Sequence, residues 1–290
     1  MVSGFINLYK EAGISSALAV AKVKRLLKEC GIVTKVGHFG TLDPDGEGVL
    51  PIALGYATRL FSYDLEKRKV YYTEFCFGSE TDTLDASGQV IFQGGSIPNK
   101  AQIENTLSKL QGIIEQLPPN YSAKQINGQR AYKLARQGKQ VSLPKAKVNI
   151  YNIELIEKLA FDTFSFRIEC SSGTYIRSIA RDLAYALGTY AYMKYIKREK
   201  SSIFDIKDAV PIELLQQSIT DYILPMQIFT NAFARYDIAD SLADKLYNGA
   251  QVSVSDAPSG MLSIYCKGQL FGLGEKDEFD KLKIKTRLTK

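Results

Sequence analysis

Between Gly37 and Gly48 the chain places four glycines and one proline within twelve residues, GHFGTLDPDGEG, and then continues into the apolar run Val49 to Leu54. Glycine and proline at this density exclude a helix, so the segment reads as a rigid loop that the rest of the fold must accommodate. Elements of both kinds surround it. Gly4 to Tyr9 has strand character, and Ser15 or Ser16 caps a helix over Ala17 to Glu29 that ends at Gly31, with Val20, Val23, Leu26 and Leu27 as its apolar stripe. Lys69 to Phe77 alternates and is rich in aromatic residues, as a strand should be, with Gln89 to Phe92 as its expected hairpin partner after a turn at Asp85 to Gly88. A helix is predicted from Asn99 or Lys100 to Leu110, and a short one near Gln129 to Gln137. Strands follow at Lys147 to Leu159 and Thr163 to Cys170, then a helix at Tyr175 to Leu187 and a strand at Tyr192 to Arg198. This order predicts an α+β fold with a largely antiparallel sheet. After Pro225 the character changes to short segments punctuated by Gly249, Gly260, Gly268, Gly272 and Gly274, which suggests a large domain over 1–232 and a small β-rich one over 233–290.

Composition narrows the chemistry. The 290 residues are 45% apolar, enough for a sizeable core, and no run approaches the roughly 18 apolar residues of a membrane span. The start shows no charged and apolar leader, so a cytoplasmic location is expected. His38 is the only histidine, which excludes two-histidine metal sites and mechanisms. Cys30, Cys76, Cys170 and Cys266 are too dispersed to hold zinc, so any catalysis falls to carboxylate, tyrosine, lysine or arginine. The net charge of +6 is a modest basic bias, but its distribution is uneven. Between Glu115 and Glu154 there is no acid, while Lys124, Arg130, Lys133, Arg136, Lys139, Lys145 and Lys147 supply seven cations. An arm over about 124–147 is therefore expected to face phosphate.

Two segments carry candidate chemistry. In the glycine-rich loop, Asp43-Pro44 and Asp45-Gly46 are ordinary turn dipeptides, yet the bare backbone also admits a large substrate, and His38 stands five residues before Asp43. In CSSGTYIRS a strand end turns into a helix whose first turn holds Arg177. A cation gains nothing from the helix dipole there, which leaves a specific carboxylate or phosphate partner or a plain surface arginine.

The motifs GHFGTLDPDGEGVLPIALGYAT, GSETDTLDASG, PPNYSAKQINGQRAYKLARQG and CSSGTYIR occur in the order and spacing of the bacterial tRNA pseudouridine synthase B family, which the chain resembles from Lys10-Glu11-Ala12-Gly13 to its C-terminal module. The resemblance implies a mixed, mostly antiparallel catalytic domain with a small C-terminal domain of the PUA RNA-binding type. It implies isomerisation of uridine 55 in the T arm of tRNA, without metal or organic cofactor and without an obligate protein partner. It assigns Asp43 as the catalytic aspartate, Tyr71 as an active-site tyrosine and Arg177 as the aspartate's partner, while His38 helps displace and hold T-loop nucleotides and Tyr175 lines the pocket. Lys124, Arg130, Lys133 and Arg136 would bind substrate. Departures from the pattern are Phe39, Asp45-Gly46-Glu47 and Tyr9-Lys10-Glu11, and the first two acids add negative charge beside Asp43.

The reaction breaks the bond from uracil N1 to ribose C1′, turns the base over and rejoins it through C5. The uridine has to be flipped out of folded RNA, at about a few kcal/mol of unstacking, and held by stacking and phosphate contacts. The resemblance implies that Asp43 acts at the sugar, as nucleophile on C1′ or as base at the 2′ position. Alternation in the strand places Tyr71 with Thr73, Phe75 and Phe77 on the more apolar face and Tyr72 on the other, so Tyr71 is expected to meet the flipped uracil and to need a nearby cation such as Arg177 to act as a base. The alternatives are a glycosidase pairing Asp43 with Asp45 or Glu47, and a non-catalytic RNA-binding or RNA-folding protein.

Overall fold

The computed structural model describes residues 2–63, 67–119, 121, 125–126, 129–130 and 143–289. β1 (Gly4–Lys10) leads to α1 (Ser16–Glu29), the short β2 (Val36–His38) and β3 (Glu47–Leu54). Next come β4 (Arg68–Phe77), β5 (Ser79–Thr81), β6 (Val90–Gln93), α2 (Lys100–Leu107) and β7 (Gly112–Gln116). The two-residue β8 (Gln125–Ile126) and β9 (Gln129–Arg130) precede β10 (Ala146–Lys158), β11 (Thr163–Ser171), α3 (Ile176–Ala186), β12 (Ala191–Ser201) and β13 (Phe204–Asp205). α4 (Ile212–Ser218) and α5 (Gln227–Thr230) then lead to β14 (Ala234–Asp237), α6 (Asp240–Tyr247), β15 (Val252–Ser253), β16 (Gly260–Cys266), β17 (Gln269–Lys276) and β18 (Lys281–Arg287).

The larger sheet runs β1-β3-β12-β4-β11-β10-β7, with β2 on β3 and β13 on β12. Its pairs are antiparallel except β12 with β3, which meet in parallel at Lys197 to Glu47 and Arg198 to Gly48. The fold is thus α+β with a mixed, mostly antiparallel sheet. α2 and α3 cover one part of it, where Phe75, Phe77, Phe164, Phe166, Ile179 and Leu183 are buried together. α1 and α4 cover another, against Ile6, Leu8, Leu50 and Ile52. Ser15 caps α1 by accepting the Leu18 N–H at 3.1 Å, and Val23, Leu26 and Leu27 turn inward as the helical spacing requires.

A second sheet, ordered β14-β16-β17-β18-β15, follows. It shares a core with the first, in which Phe5, Phe39 and Phe229 pack with Tyr265, Leu270, Leu273 and Leu288.

One expected pairing is wrong. Gln89 to Phe92 is not the partner of β4: Val90–Gln93 pairs with Ser79–Thr81, and β4 lies between β11 and β12. The Asp85 to Gly88 turn closes the small β5/β6 hairpin, and distant strands with long complementary apolar faces take the central position beside β4. The short helix expected near Gln129 to Gln137 begins instead with strand residues at Gln129 and Arg130, paired to Gln125 and Ile126; its remainder lies outside the described residues.

Candidate active site

Asp43 lies between β2 and β3, in a stretch over 39–46 that belongs to no strand or helix. Few backbone bonds hold it: Phe39 N–H donates to Pro51 at 2.9 Å, Gly46 N–H to Asp43 at 3.0 Å and Gly13 N–H to Pro44 at 2.9 Å. Gly40 has φ +78°, and a Cβ there would come within 2.8 Å of the Lys69 Nζ. The loop therefore passes close to the Lys69 side chain of β4, at a position whose backbone conformation favours glycine.

Arg177 is the second residue of α3, whose start is fixed by Gln116. The buried Gln116 amide accepts the Tyr175 N–H at 2.8 Å and donates to the Tyr175 carbonyl at 3.1 Å. The Arg177 side chain is only 7% exposed, so it is not a surface arginine, and its fork bridges two carboxylates: Nη2 is 3.0 Å from Asp43 Oδ2 and Nη1 is 3.2 Å from Asp85 Oδ2. Donation to the Thr83 and Tyr121 carbonyls, at 3.0 and 3.1 Å, uses more of its donors. Asp43, with 43% of its side chain exposed, is the wetter of the two acids, against 17% for Asp85.

The ion pair opens on a cleft of about 260 Å³ that brings together Asp43, Tyr71, Tyr175 and Arg177 with Lys69, Met193 and Ile196. That is below the roughly 300–1,000 Å³ of drug-sized sites and suits one flat ring. Tyr71 is buried on the same face of β4 as Thr73, Phe75 and Phe77, whereas Tyr72 points to the other face, edge-on to Tyr195. Burial pushes the Tyr71 hydroxyl up to about 12, and the charge and hydrogen bonding of Arg198 oppose this without overcoming it. The cation facing Tyr71 is thus Arg198 rather than Arg177, and the phenol stays protonated at neutral pH.

His38 does not line the cleft. It sits in β2 opposite Ile52, with Nδ1 buried and without a partner among the described residues. Burial lowers its pKa, as do the charges of Arg198 and Lys69, while a hydrogen bond donated by the imidazole to the Gly40 backbone opposes them. Lys124, Lys133 and Arg136 lie outside the described residues, and Arg130 is described only in its backbone, within β9. Neither extra acid pairs with Asp43 across the cleft as a glycosidase requires: Asp45 is exposed, and Glu47 accepts hydrogen bonds from Tyr195 and Tyr9. A larger cleft of about 480 Å³, lined by Glu80, Arg181, Asp182 and Tyr185, has its polar groups turned on one another, with Arg181 bonded to Asp182 and Tyr185 to Glu80.

Reading the sequence missed Asp85, Ser16 and Arg198. Asp85 looks like a turn residue, and it does accept from the Ser87 N–H and the Thr83 hydroxyl while its second oxygen takes Arg177. Arg198 left a usable signal: with Ile196 it is a charged residue on the buried face of a strand, where a cation needs a reason to be.

Residues 24–176 match the family described as TruB family pseudouridylate synthase, N-terminal domain. The chain is 34% identical to the tRNA pseudouridine synthase B of Streptococcus sanguinis, over 96% of this chain and 97% of that one. It is 36% identical to that of Thermosipho melanesiensis (96% and 92%) and 39% to that of Lactobacillus delbrueckii subsp. bulgaricus (88% and 88%). Among solved structures, it is similar in fold to a chain of an H/ACA RNP bound to a substrate RNA containing 2′-deoxyuridine, with TM-score 0.72, 24% identity and coverage of 99% of this chain and 85% of that one. A chain of an archaeal box H/ACA Nop10-Cbf5 complex gives TM-score 0.69 at 24% identity, covering 99% and 86%.

Proposed function

The chain belongs to the TruB family of pseudouridylate synthases, and from that premise we propose how its residues divide the work of turning a tRNA uridine into pseudouridine. The enzyme is a tRNA pseudouridine synthase. Its target is uridine 55 of the T arm, the position that the ordered motifs around Asp43 and Arg177 imply. The observation that carries the mechanism is a half-exposed carboxylate, Asp43, held 3.0 Å from a buried guanidinium at the mouth of a cleft sized for one base.

Asp43 acts at the ribose once the uridine is flipped into the cleft. Both routes are consistent with this placement: attack on C1′ with departure of uracil through N1, or removal of a 2′ proton that lets the N1–C1′ bond open. Arg177 keeps the carboxylate aimed through the contact at 3.0 Å. The freed uracil turns and bonds to C1′ through C5, displacing the Asp43 carboxylate or, on the second route, with the 2′ proton handed back by Asp43; the C5 proton then passes to solvent while N1 takes one up. Tyr71 stacks on the base and donates from its neutral hydroxyl; with that hydroxyl at about 12 it is not the base that takes the C5 proton. Tyr175 closes the cleft beside it, and His38, neutral at pH 7, holds displaced T-loop nucleotides.

Residues 1–232 form the catalytic domain, and 233–290 form a PUA-like RNA-binding domain, a reading supported by the separate sheet that starts at Ala234. Lys124, Arg130, Lys133 and Arg136 contact RNA phosphates. The enzyme works in the cytoplasm without an obligate protein partner; no helix among the described residues is long and apolar enough to cross a membrane. Asp43→Asn tests the core of this reading. Release of the C5 hydrogen from tritiated tRNA should stop while tRNA affinity stays within about threefold, because the change removes charge and keeps size. Turnover by that variant near the parent rate removes Asp43 from the mechanism, whereas tRNA binding by the parent chain with no release of the C5 hydrogen favours a chain that only binds RNA.

A further inference from the structure

A carboxylate acting on a ribose has to be held within about 0.5 Å of its working position. Yet residues 39–46 belong to no strand or helix. Three buried side chains reach this loop from different elements; Lys10, at the end of β1, donates from Nζ to the Pro44 carbonyl at 3.0 Å, and the other two hold the residues before Asp43. Ser16, in the first turn of α1, donates from Oγ to the Leu42 carbonyl at 2.8 Å and accepts the Leu42 N–H at 2.9 Å. Both backbone groups of the residue before Asp43 are thus held by one hydroxyl. Arg198, fully buried in β12, donates from Nη2 to Gly40 at 3.1 Å, from Nη1 to Thr41 at 3.3 Å and from Nε to Val49 at 2.7 Å. Its fork therefore ties the entrance of the loop to the strand that leaves it.

Among the described residues no ion pair includes Arg198. A buried guanidinium without a carboxylate is unfavourable unless its donors are used, and an apolar residue would fill the same strand position without that penalty. The backbones of the two strands also meet closely here. Gly48 has φ +103°, and a Cβ there would lie 2.3 Å from the Arg198 carbonyl. We infer that Arg198 and Ser16 are positioning residues for the Asp43 carboxylate, fixing the loop backbone around it while touching no RNA. Both are buried, Ser16 at 2% and Arg198 at 0% exposure, so substrate does not reach them. The inference rests on Asp43 being the catalytic carboxylate.

The test compares Arg198→Lys, Ser16→Ala and Asp43→Asn in single-turnover C5-hydrogen release at saturating tRNA, together with tRNA Kd and the NMR pKa of His38. Misplacement of a reacting group by about 1 Å costs on the order of 100-fold, so Arg198→Lys should lose about 100-fold and Ser16→Ala about tenfold in rate, with Kd within about threefold. Lysine keeps a charge facing His38, so the chain's one imidazole should titrate as in the parent; this separates lost geometry from lost charge. Alanine suits the first turn of a helix, so Ser16→Ala carries the test if Arg198→Lys does not fold. Asp43→Asn inactive, with Ser16→Ala and any folded Arg198→Lys within about threefold of the parent rate, overturns the positioning role alone. Asp43→Asn active overturns the catalytic assignment and this inference with it. A rate loss matched by an equal loss of RNA affinity also overturns the positioning role.

Discussion

Two buried arginines flank Asp43, and they are satisfied in opposite ways. Arg177, from the start of a helix, is bridged by the carboxylates of Asp43 and Asp85. Arg198, from the middle of a strand, has carbonyl oxygens for partners at Gly40, Thr41 and Val49, with the Tyr71 hydroxyl besides. The first arrangement is electrostatic and divisible: when Asp43 turns to the sugar, the less exposed Asp85 still holds the guanidinium in place. The second is geometric, and its charge is left to act on its surroundings, opposing protonation of both His38 and Lys10. The difference teaches that one cation serves the reacting acid and the other serves the backbone that carries it.

The comparison breaks most visibly at Arg177. Arg177→Ala leaves two carboxylates facing each other and should lower single-turnover rate by about 1,000-fold, the scale of losing a preorganised charged donor. A smaller loss than in Arg198→Lys would reverse the roles given to the two arginines. Next is the tyrosine against Arg198. Removing one base-stacking ring should cost roughly 10- to 100-fold in Tyr71→Leu, whereas Tyr72→Leu, on the opposite face, should stay within about threefold. The opposite ranking at saturating tRNA, with both proteins folded, would show the wrong ring in the cleft. Asp85→Asn removes one charge-assisted hydrogen bond, worth about 1.5 kcal/mol, and should slow turnover about tenfold while Arg177 keeps Asp43 and two carbonyls. A loss as large as in Arg177→Ala would mean that Asp85 is not a reserve partner.

The smallest effect concerns His38, whose pKa is lowered by burial and then by Arg198. A base with a lower pKa in the folded chain lets the unfolded chain bind the proton first. This contribution to stability is therefore whole above the unfolded value near 6.5 and declines as pH falls through the window below it. His38→Gln should flatten the fall in urea midpoint between about pH 7.5 and 5.5, a range that spans that value; an unchanged slope would mean that other groups set it.

What the sequence made legible was local. The alternation of Tyr71, Thr73, Phe75 and Phe77 identifies a buried strand face, and the glycine-rich loop and the helix start at Arg177 announce themselves by residue type. Illegible were contacts whose partners lie far along the chain. Nothing in Asp85-Ala86-Ser87-Gly88 distinguishes a turn aspartate from one that also receives Arg177. The hairpin partner wrongly given to β4 has the same origin: proximity in sequence favours Gln89 to Phe92, but those residues are exposed on a small ribbon, and β11 and β12 supply the longer complementary faces. The basic arm, conspicuous in composition, has most of its length outside the described residues.

The parallel contact between β12 and β3 spans two paired positions, Lys197 with Glu47 and Arg198 with Gly48. On β4 the same strand is bulged between Met193 and Tyr195 and again between Arg198 and Lys200. Between those bulges the side chains alternate strictly, so inserting or deleting one residue there exchanges Arg198 for Lys197 or Glu199 at the single spot beneath Gly40. Neither neighbour can reproduce a three-carbonyl fork: one has a point charge and the other carries the wrong sign. This short stretch should therefore be intolerant of length change as well as of substitution. In a library of single-residue insertions, activity should disappear here while the exposed turn at Leu159 to Phe161 accepts extra residues.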